Sequence, residues 1–196
     1  MSLSLSVADV DAGVRRVHAQ VEPLRDTLNA ADRALGDGDT GMTIANVVTA
    51  WVTALEAPAD GVGARLVQLG RETRRASGSS LGSVMAIGLS AAGKATGPSV
   101  DRAGLVTALD AATAAITERS GATAGDKTIL DSLLAIRDAL ARDADVVDAA
   151  TQALDDFRGR EARIGRARIY GARSIGQDDP GMLAALLLLR SARGDS

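Results

Sequence analysis

Apolar positions recur along this chain at three- and four-residue steps, and strict alternation is almost absent. Val7, Val10, Val14, Val17 and Val21 set the pattern early and lay one apolar stripe along a helix over residues 7–20. Pro23 opens a second helix near its first turn, where a missing N–H is harmless, and Gly36 ends it. The same pattern predicts helices over 42–56, stopped at Ala57-Pro58, over 60–75, and over 79–93, ending near Gly93 and Gly97-Pro98. Helices over 101–118, 126–141 and 144–158 each begin at or just after an aspartate, which suits the positive end of a helix dipole. Beyond residue 159 an irregular Arg- and Gly-rich stretch runs to Pro180, and 182–193 closes the chain as an apolar helix. Its Leu183 to Leu189 run can bury either in this domain or against a second copy, so a homodimer is open. The class is therefore all-α, an antiparallel bundle of eight or nine amphipathic helices with short connections and no internal repeat.

Composition narrows this picture. A chain of 196 residues holds one substantial core, so residues 1–196 are expected to form a single domain. The absence of cysteine excludes disulfides and thiolate metal sites and suits a reducing compartment. No window approaches the ~18 to 20 uninterrupted apolar residues of a membrane span, and no basic start precedes an apolar run. A soluble, cytoplasmic protein is the expectation. The formal charge of −3 offers no global attraction to nucleic acid, and the aromatic side chains are only Trp51, Phe157 and Tyr170. Arg158, Arg160, Arg163, Arg166, Arg168 and Arg173 do form a local basic run that could neutralise phosphates. The acidic total and the aromatic scarcity weigh against a nucleic-acid surface.

Candidate chemistry begins at residues 36–41, GDGDTG, where two aspartates stand one glycine apart at a helix end. An EF-hand loop starting at Asp37 would need an oxygen ligand, a glycine and a bidentate acid where the chain has Gly41, Met42 and Val48. A phosphatase D-x-D-x-T motif would end an apolar strand, and here Gly41 takes the place of the threonine. Residues 88–95, GLSAAGKA, miss a phosphate-binding loop because Ala95 lacks the hydroxyl that reaches magnesium and no βαβ unit surrounds them. They read as a helix C-terminus with a glycine cap and Lys94 complementing the dipole.

A helix end turning on Gly36 and Gly38 can bring Asp32, Asp37 and Asp39 together. Such carboxylates either spread into solvent or share a hard cation such as magnesium. Three further glycine-flanked polar runs lie at helix boundaries, at 75–80, 121–128 and 176–181. Each can offer backbone N–H groups to phosphate oxygens. One such loop means little. Four in one helical chain, one of them doubly acidic, point to the rim of a nucleotide–magnesium site, because polyphosphate needs both cations and fixed donors.

The order LNAADRALGDGDTG, RRASGSSLG, SGATAGDKTILDSL and GRARIYGARSIGQDDPG resembles the nucleotide-binding L subunit, or L domain, of the dihydroxyacetone kinases. These motifs run from residue 28 to residue 181. The resemblance implies a barrel of eight antiparallel helices with ADP or ATP and two magnesium ions (Mg2+) bound among the loops at one end. It implies a separate K subunit that holds a small hydroxyketone through its own histidine. By position it makes Asp32, Asp37 and Asp39 the metal ligands. It makes Thr40, Gly41, Met42 and Thr43 a phosphate-contacting turn, and Ala76 and Ser77 a second contact. Gly121, Thr128 and Ile129 fall around adenine and ribose, Arg166 is a nucleotide-contacting arginine, and Asp179, Pro180 and Gly181 form the final loop. Many relatives carry His where Thr40 stands, two glycines where Arg74 and Arg75 stand, and Met where Ile129 stands.

No general base is evident, since His18, the single histidine, sits among the valines of the first helix and reads as structural. Two donor modes exist in the family: ATP exchanging as a substrate, or bound ADP rephosphorylated by a phosphotransferase-system protein. A non-catalytic, nucleotide-bound adaptor that docks onto a regulator is the alternative to a kinase component.

Overall fold

Nine α-helices form in the computed structural model, which describes residues 4–194, wherever the 3.6-residue apolar stripe is sustained. In chain order they are α1 (Val7–Ala19), α2 (Val21–Leu35), α3 (Thr40–Ala54), α4 (Val62–Ala76), α5 (Ser80–Lys94), α6 (Arg102–Ser120), α7 (Ile129–Ala141), α8 (Val146–Arg158) and α9 (Pro180–Arg193). A 3₁₀ segment, Arg166–Ser174, occupies part of the Arg-rich stretch, and β1 (Ser4–Leu5) pairs antiparallel with β2 (Val100–Asp101). This two-residue ladder is too short to leave any alternation in the sequence.

Local chemistry explains the boundaries. The α2 helix starts at Val21, two residues before Pro23, so the proline lies inside the first turn, where no i−4 partner is lost. The expected start of α7 moves from 126 to Ile129, because Lys127 has φ 63 and Thr128 takes the cap. The Thr128 side chain and Asp131 satisfy each other's backbone N–H groups in a reciprocal box. α9 starts at Pro180 behind an Asp179 cap. Gly93 is not the cap expected for α5. It lies inside that helix against the backbone of Gly63 in α4, and α5 runs on to Lys94 with a right-handed cap at Ala95.

Successive helices from α2 to α8 pack on one another, and α9 returns against α1, α7 and α8 to close an antiparallel barrel. Leu28, Ile44, Val47, Val48 and Trp51 fill one part of the core, while Ile136, Leu154, Met182 and Leu186 fill a second. α9 serves both, through Ala184 in the first and Met182 and Leu186 in the second. Leu183, Leu187, Leu188 and Leu189 pack partly buried against the same two clusters, so the leucine run turns into this chain's own core. The Trp51 indole N–H donates to Thr73 Oγ1 at 2.8 Å, which satisfies the polar edge of a buried ring. Among the described residues no helix is long and apolar enough to cross a membrane.

Candidate functional site

At one end of the barrel the α2–α3 turn, the α4–α5 turn, the α6–α7 loop and the stretch before α9 surround a cavity of about 350 Å³. Its inner wall is apolar, built from Leu81, Val84, Ile116, Ile129, Ile164 and Ala167. Its mouth is polar, with Asp39, Thr40, Thr43, Ser79 and Arg166 on one side and Thr128, Asp179 and Gly181 on the other. A second, polar recess shares Asp39, Thr43, Ser79 and Arg166 and adds Met42, Asn46, Ala76 and Ser77. An apolar slot opening onto a charged rim suits a flat heteroaromatic group carrying an anionic tail.

Three carboxylates cluster beside these recesses: Asp39 lines both, Asp32 lines the apolar cavity, and Asp37 lines neither. Asp32, Asp37 and Asp39 each bring an oxygen to within 4.8 Å of the others. Asp32 is buried and faces inward from the last turns of α2, one helical turn before Leu35. Its Oδ2 accepts the backbone N–H of Asp39 at 2.9 Å and of Thr40 at 3.2 Å, which folds the loop back over the helix end. A methyl group at Gly36 would stand 2.9 Å from the Asp32 carboxyl carbon, so any larger residue would push that carboxylate, and the loop it holds, out of place. Gly38 supplies the positive φ of 78 that turns Asp39 toward its fellows.

Electrostatics separate the two exposed acids. Burial, then the hydrogen-bonded neighbour Asp37 and the charge of Asp32, push the Asp39 carboxyl above its ordinary range. Burial also opposes ionisation of Asp37, but its hydrogen bonds with Asp39 and Arg166 outweigh that and hold it below the ordinary range. Arg166 reaches across from the 3₁₀ segment and pairs with Asp37. Two facing carboxyls with opposed shifts are a pair that cannot both ionise cheaply without a cation.

The turn of Thr40 to Thr43 differs from the expectation of backbone donors aimed at phosphate. Gly41 and Met42 donate their N–H groups to Asn29 Oδ1 at 2.8 and 3.3 Å, and Thr43 donates to the Asp39 carbonyl at 2.9 Å. With Asp39 and Thr40 held by Asp32, this helix start has its donors occupied. The Thr40 and Thr43 side chains, both on residues that line the cavity, are what it presents. Asn29 was missed in the sequence, where its spacing of three from Asp32 was the available signal. The other helix starts are likewise capped from within: Ser79 accepts from Gly82 N–H at 3.0 Å and Asp179 from Met182 N–H at 2.8 Å.

The remaining residues fall on both sides of the expectation. Thr128, Ile129, Asp179, Pro180 and Gly181 line the apolar cavity, while Met42, Ala76 and Ser77 line only the polar recess. Gly41 lines neither; it packs against the backbone of Arg25 in α2. Gly121 is the exposed, left-handed cap of α6, and its neighbours Ser120 and Ala122 take the lining positions. Burial pushes the Asp179 carboxyl up to about 6, against its hydrogen bonds to Met182 and Gly181 and the charge of Lys127. His18 is exposed in the last turn of α1 and lines neither recess.

Residues 34–194, which carry the acidic loop, the cavity wall and α9, match the DAK2 domain. The chain belongs to the DAK2 domain family. It is 31% identical over 193 residues to triokinase/FMN cyclase of Homo sapiens, covering 91% of this chain and 33% of that protein. It is 30% identical over 183 residues to the PEP-dependent dihydroxyacetone kinase 1, ADP-binding subunit DhaL, of Listeria innocua, covering 88% of each. The DAK2 chain thus spans about a third of the length of the human relative and most of the length of the bacterial subunit. Its fold is that of the dihydroxyacetone kinase from Citrobacter freundii in complex with AMP-PNP and Mg2+, with a TM-score of 0.74 at 24% identity over 100% of this chain and 35% of that one.

Proposed function

We propose that this chain is the magnesium–nucleotide-binding component of a dihydroxyacetone-type kinase, working with a K-type subunit that holds a small hydroxyketone or related sugar. The observation that carries the reading is the trio of carboxylates within 4.8 Å of one another at the mouth of an apolar cavity, faced by Arg166. The donor set fits the cation: three acidic oxygens, with no thiolate or imidazole beside them, suit a hard ion that completes its shell with water and phosphate oxygens. Bound there, magnesium would neutralise charge developing on the transferred phosphoryl group.

The chain's own residues do the rest. Leu81, Val84, Ile116, Ile129 and Ile164 exclude water from a purine, and Thr128 with the Asp179 to Gly181 loop borders the same slot. Thr40 and Thr43 offer hydroxyls to the phosphate chain, and the recess at Ala76 and Ser77 leads that chain toward solvent. Arg166 is poised to exchange its Asp37 partner for phosphate oxygens. Positioning and electrostatics are the main work of phosphoryl transfer. This chain then needs no base of its own, and the partner supplies any that is used.

Support also comes from the relatives, which are named triokinase/FMN cyclase, L-erythrulose 1-kinase and the ADP-binding subunit of a dihydroxyacetone kinase. Calorimetric titration of the purified chain with MgADP and MgATP tests the proposal. Binding should require magnesium and be lost in Asp37→Asn, and an affinity unchanged by that substitution refutes it. Pairing the chain with its K partner, then supplying ATP alone or phosphotransferase components, identifies the donor through the phosphorylated product.

A further inference from the structure

Lys127 lies in the glycine-flanked polar run at 121–128, beside Thr128 of the cavity wall, yet it lines neither recess. Lys127 is 1% exposed, and its ammonium carries three donors and no acceptor. All three are engaged by backbone carbonyls: Ser174 at 2.7 Å, Arg160 at 2.9 Å and Arg158 at 3.4 Å. Burial pulls its pKa below the ordinary lysine value, opposed by the charges of Asp179 and Asp178, and no carboxylate among the described residues touches it. Its backbone also adopts φ 63, a region that non-glycine side chains seldom enter unless the surroundings compel them.

Arg160 and Ser174 stand near the two ends of one segment, residues 159–175, and Arg158 is the last residue of α8 just before it. Gly176 N–H donates to the Arg158 carbonyl at 2.8 Å, and Ala162 N–H donates to Ser174 Oγ at 2.9 Å, so the ends meet at a neck. Arg163 N–H adds a bond to the Asp126 carbonyl at 3.1 Å. From this neck the body of the segment extends over the cavity. It places Ile164 and Ala167 on the apolar wall, packs Ala162, Ala167 and Tyr170 on Leu35, and carries Arg166 to Asp37. Removing the ammonium would leave the Arg160 carbonyl without a donor and strip one from each of the Arg158 and Ser174 carbonyls, which would then keep only Gly176 and Gln177 N–H, so the two strands of the segment would lose the one group that bridges them at three points.

We propose that Lys127 is a positioning residue for the phosphoryl-transfer site, acting through the 159–175 segment to hold Arg166 over the acidic cluster. The assignment rests on the reading of that cluster as a magnesium–nucleotide site. Lysine is required rather than a neutral side chain, because only an ammonium can satisfy three converging carbonyls from one atom.

The test uses the full chain and the variants Lys127→Met, Arg166→Ala and the double substitution, titrated with MgADP. Each single change should weaken binding about ten-fold, the scale of a lost charge-assisted hydrogen bond. The double variant should bind no more weakly than the weaker single one, since both act on the same contact. Limited trypsin digestion should cut after Arg163, Arg166 and Arg168 about ten times faster in Lys127→Met, with other sites unchanged. Because the chain has no cysteine, Lys127→Cys provides a unique thiol that can be alkylated in denaturant and refolded. Aminoethylation, which restores an ammonium, should recover slow cleavage and tight binding, and ethylation should not. Effects that multiply in the double variant, unchanged digestion in a folded Lys127→Met chain, or equal rescue by the neutral ethyl group would each overturn the assignment. If the wild-type chain fails to bind MgADP, the nucleotide reading falls, while the digestion and rescue comparison still decides whether Lys127 holds the segment.

Discussion

Asp179→Asn isolates one carboxyl whose ionisation the fold opposes. In the unfolded chain Asp179 loses its proton near the ordinary value of 3.8, whereas in the folded protein burial raises that value to about 6. The folded state therefore binds more protons between these two values, and stability falls as pH rises through them. Above pH 6 the penalty is complete; below 3.8 it vanishes. A shift of roughly two units corresponds to about 3 kcal/mol. Asparagine matches the shape and caps a helix as well as aspartate does, so the bond from Met182 N–H survives. The variant should gain up to about 3 kcal/mol at pH 7.5, a rise in Tm on the order of 6 to 12 °C for a chain of this size. Thermal melts of both proteins at pH 7.5 and pH 4 read the effect, and the gap should close at the lower pH. A variant less stable at pH 7.5, or a gap that ignores pH, refutes the reasoning. A charge that opposes folding on the cavity wall is the pattern of a residue kept for binding.

Three further outcomes are expected. Asp39→Asn relieves the repulsion among three clustered acids, so the metal-free protein should gain no more than about 1 kcal/mol in a denaturant titration while its magnesium-dependent nucleotide affinity collapses. Gly36→Ala forces a methyl group against the Asp32 carboxyl and should abolish magnesium-induced stabilisation in a thermal shift assay, although no ligand residue has changed. Ser132 Oγ is buried without a protein partner, so Ser132→Ala should leave the denaturation midpoint unchanged or slightly raised, and a loss above about 1 kcal/mol would reveal a bond not seen here.

Helix number, order and most boundaries were legible because the apolar stripe of a helix is written into neighbouring residues, three and four apart. Boundaries went astray where a remote contact decided them. Gly93 reads as a cap but serves a close crossing with Gly63, and Lys127 breaks the expected start of α7 because the 159–175 segment binds its ammonium. The acidic trio was legible as a group, since Asp32, Asp37 and Asp39 lie within eight residues of one another and the intervening glycines announce a turn. The sharing of their backbone donors was not, because Asn29 and Asp32 take up those N–H groups only once the loop has folded onto α2.

The sequence by itself determined an all-helical chain, an oxygen-rich cluster of acids at one helix end, and an arginine-rich segment far along the chain. Only the tertiary structure decided that this segment returns over the cluster, that Arg166 faces Asp37, and that a lysine from a third loop ties its neck. Local patterns report what one stretch of backbone prefers. Which stretches meet depends on burying apolar faces from the whole chain at once, and no window of sequence contains that sum.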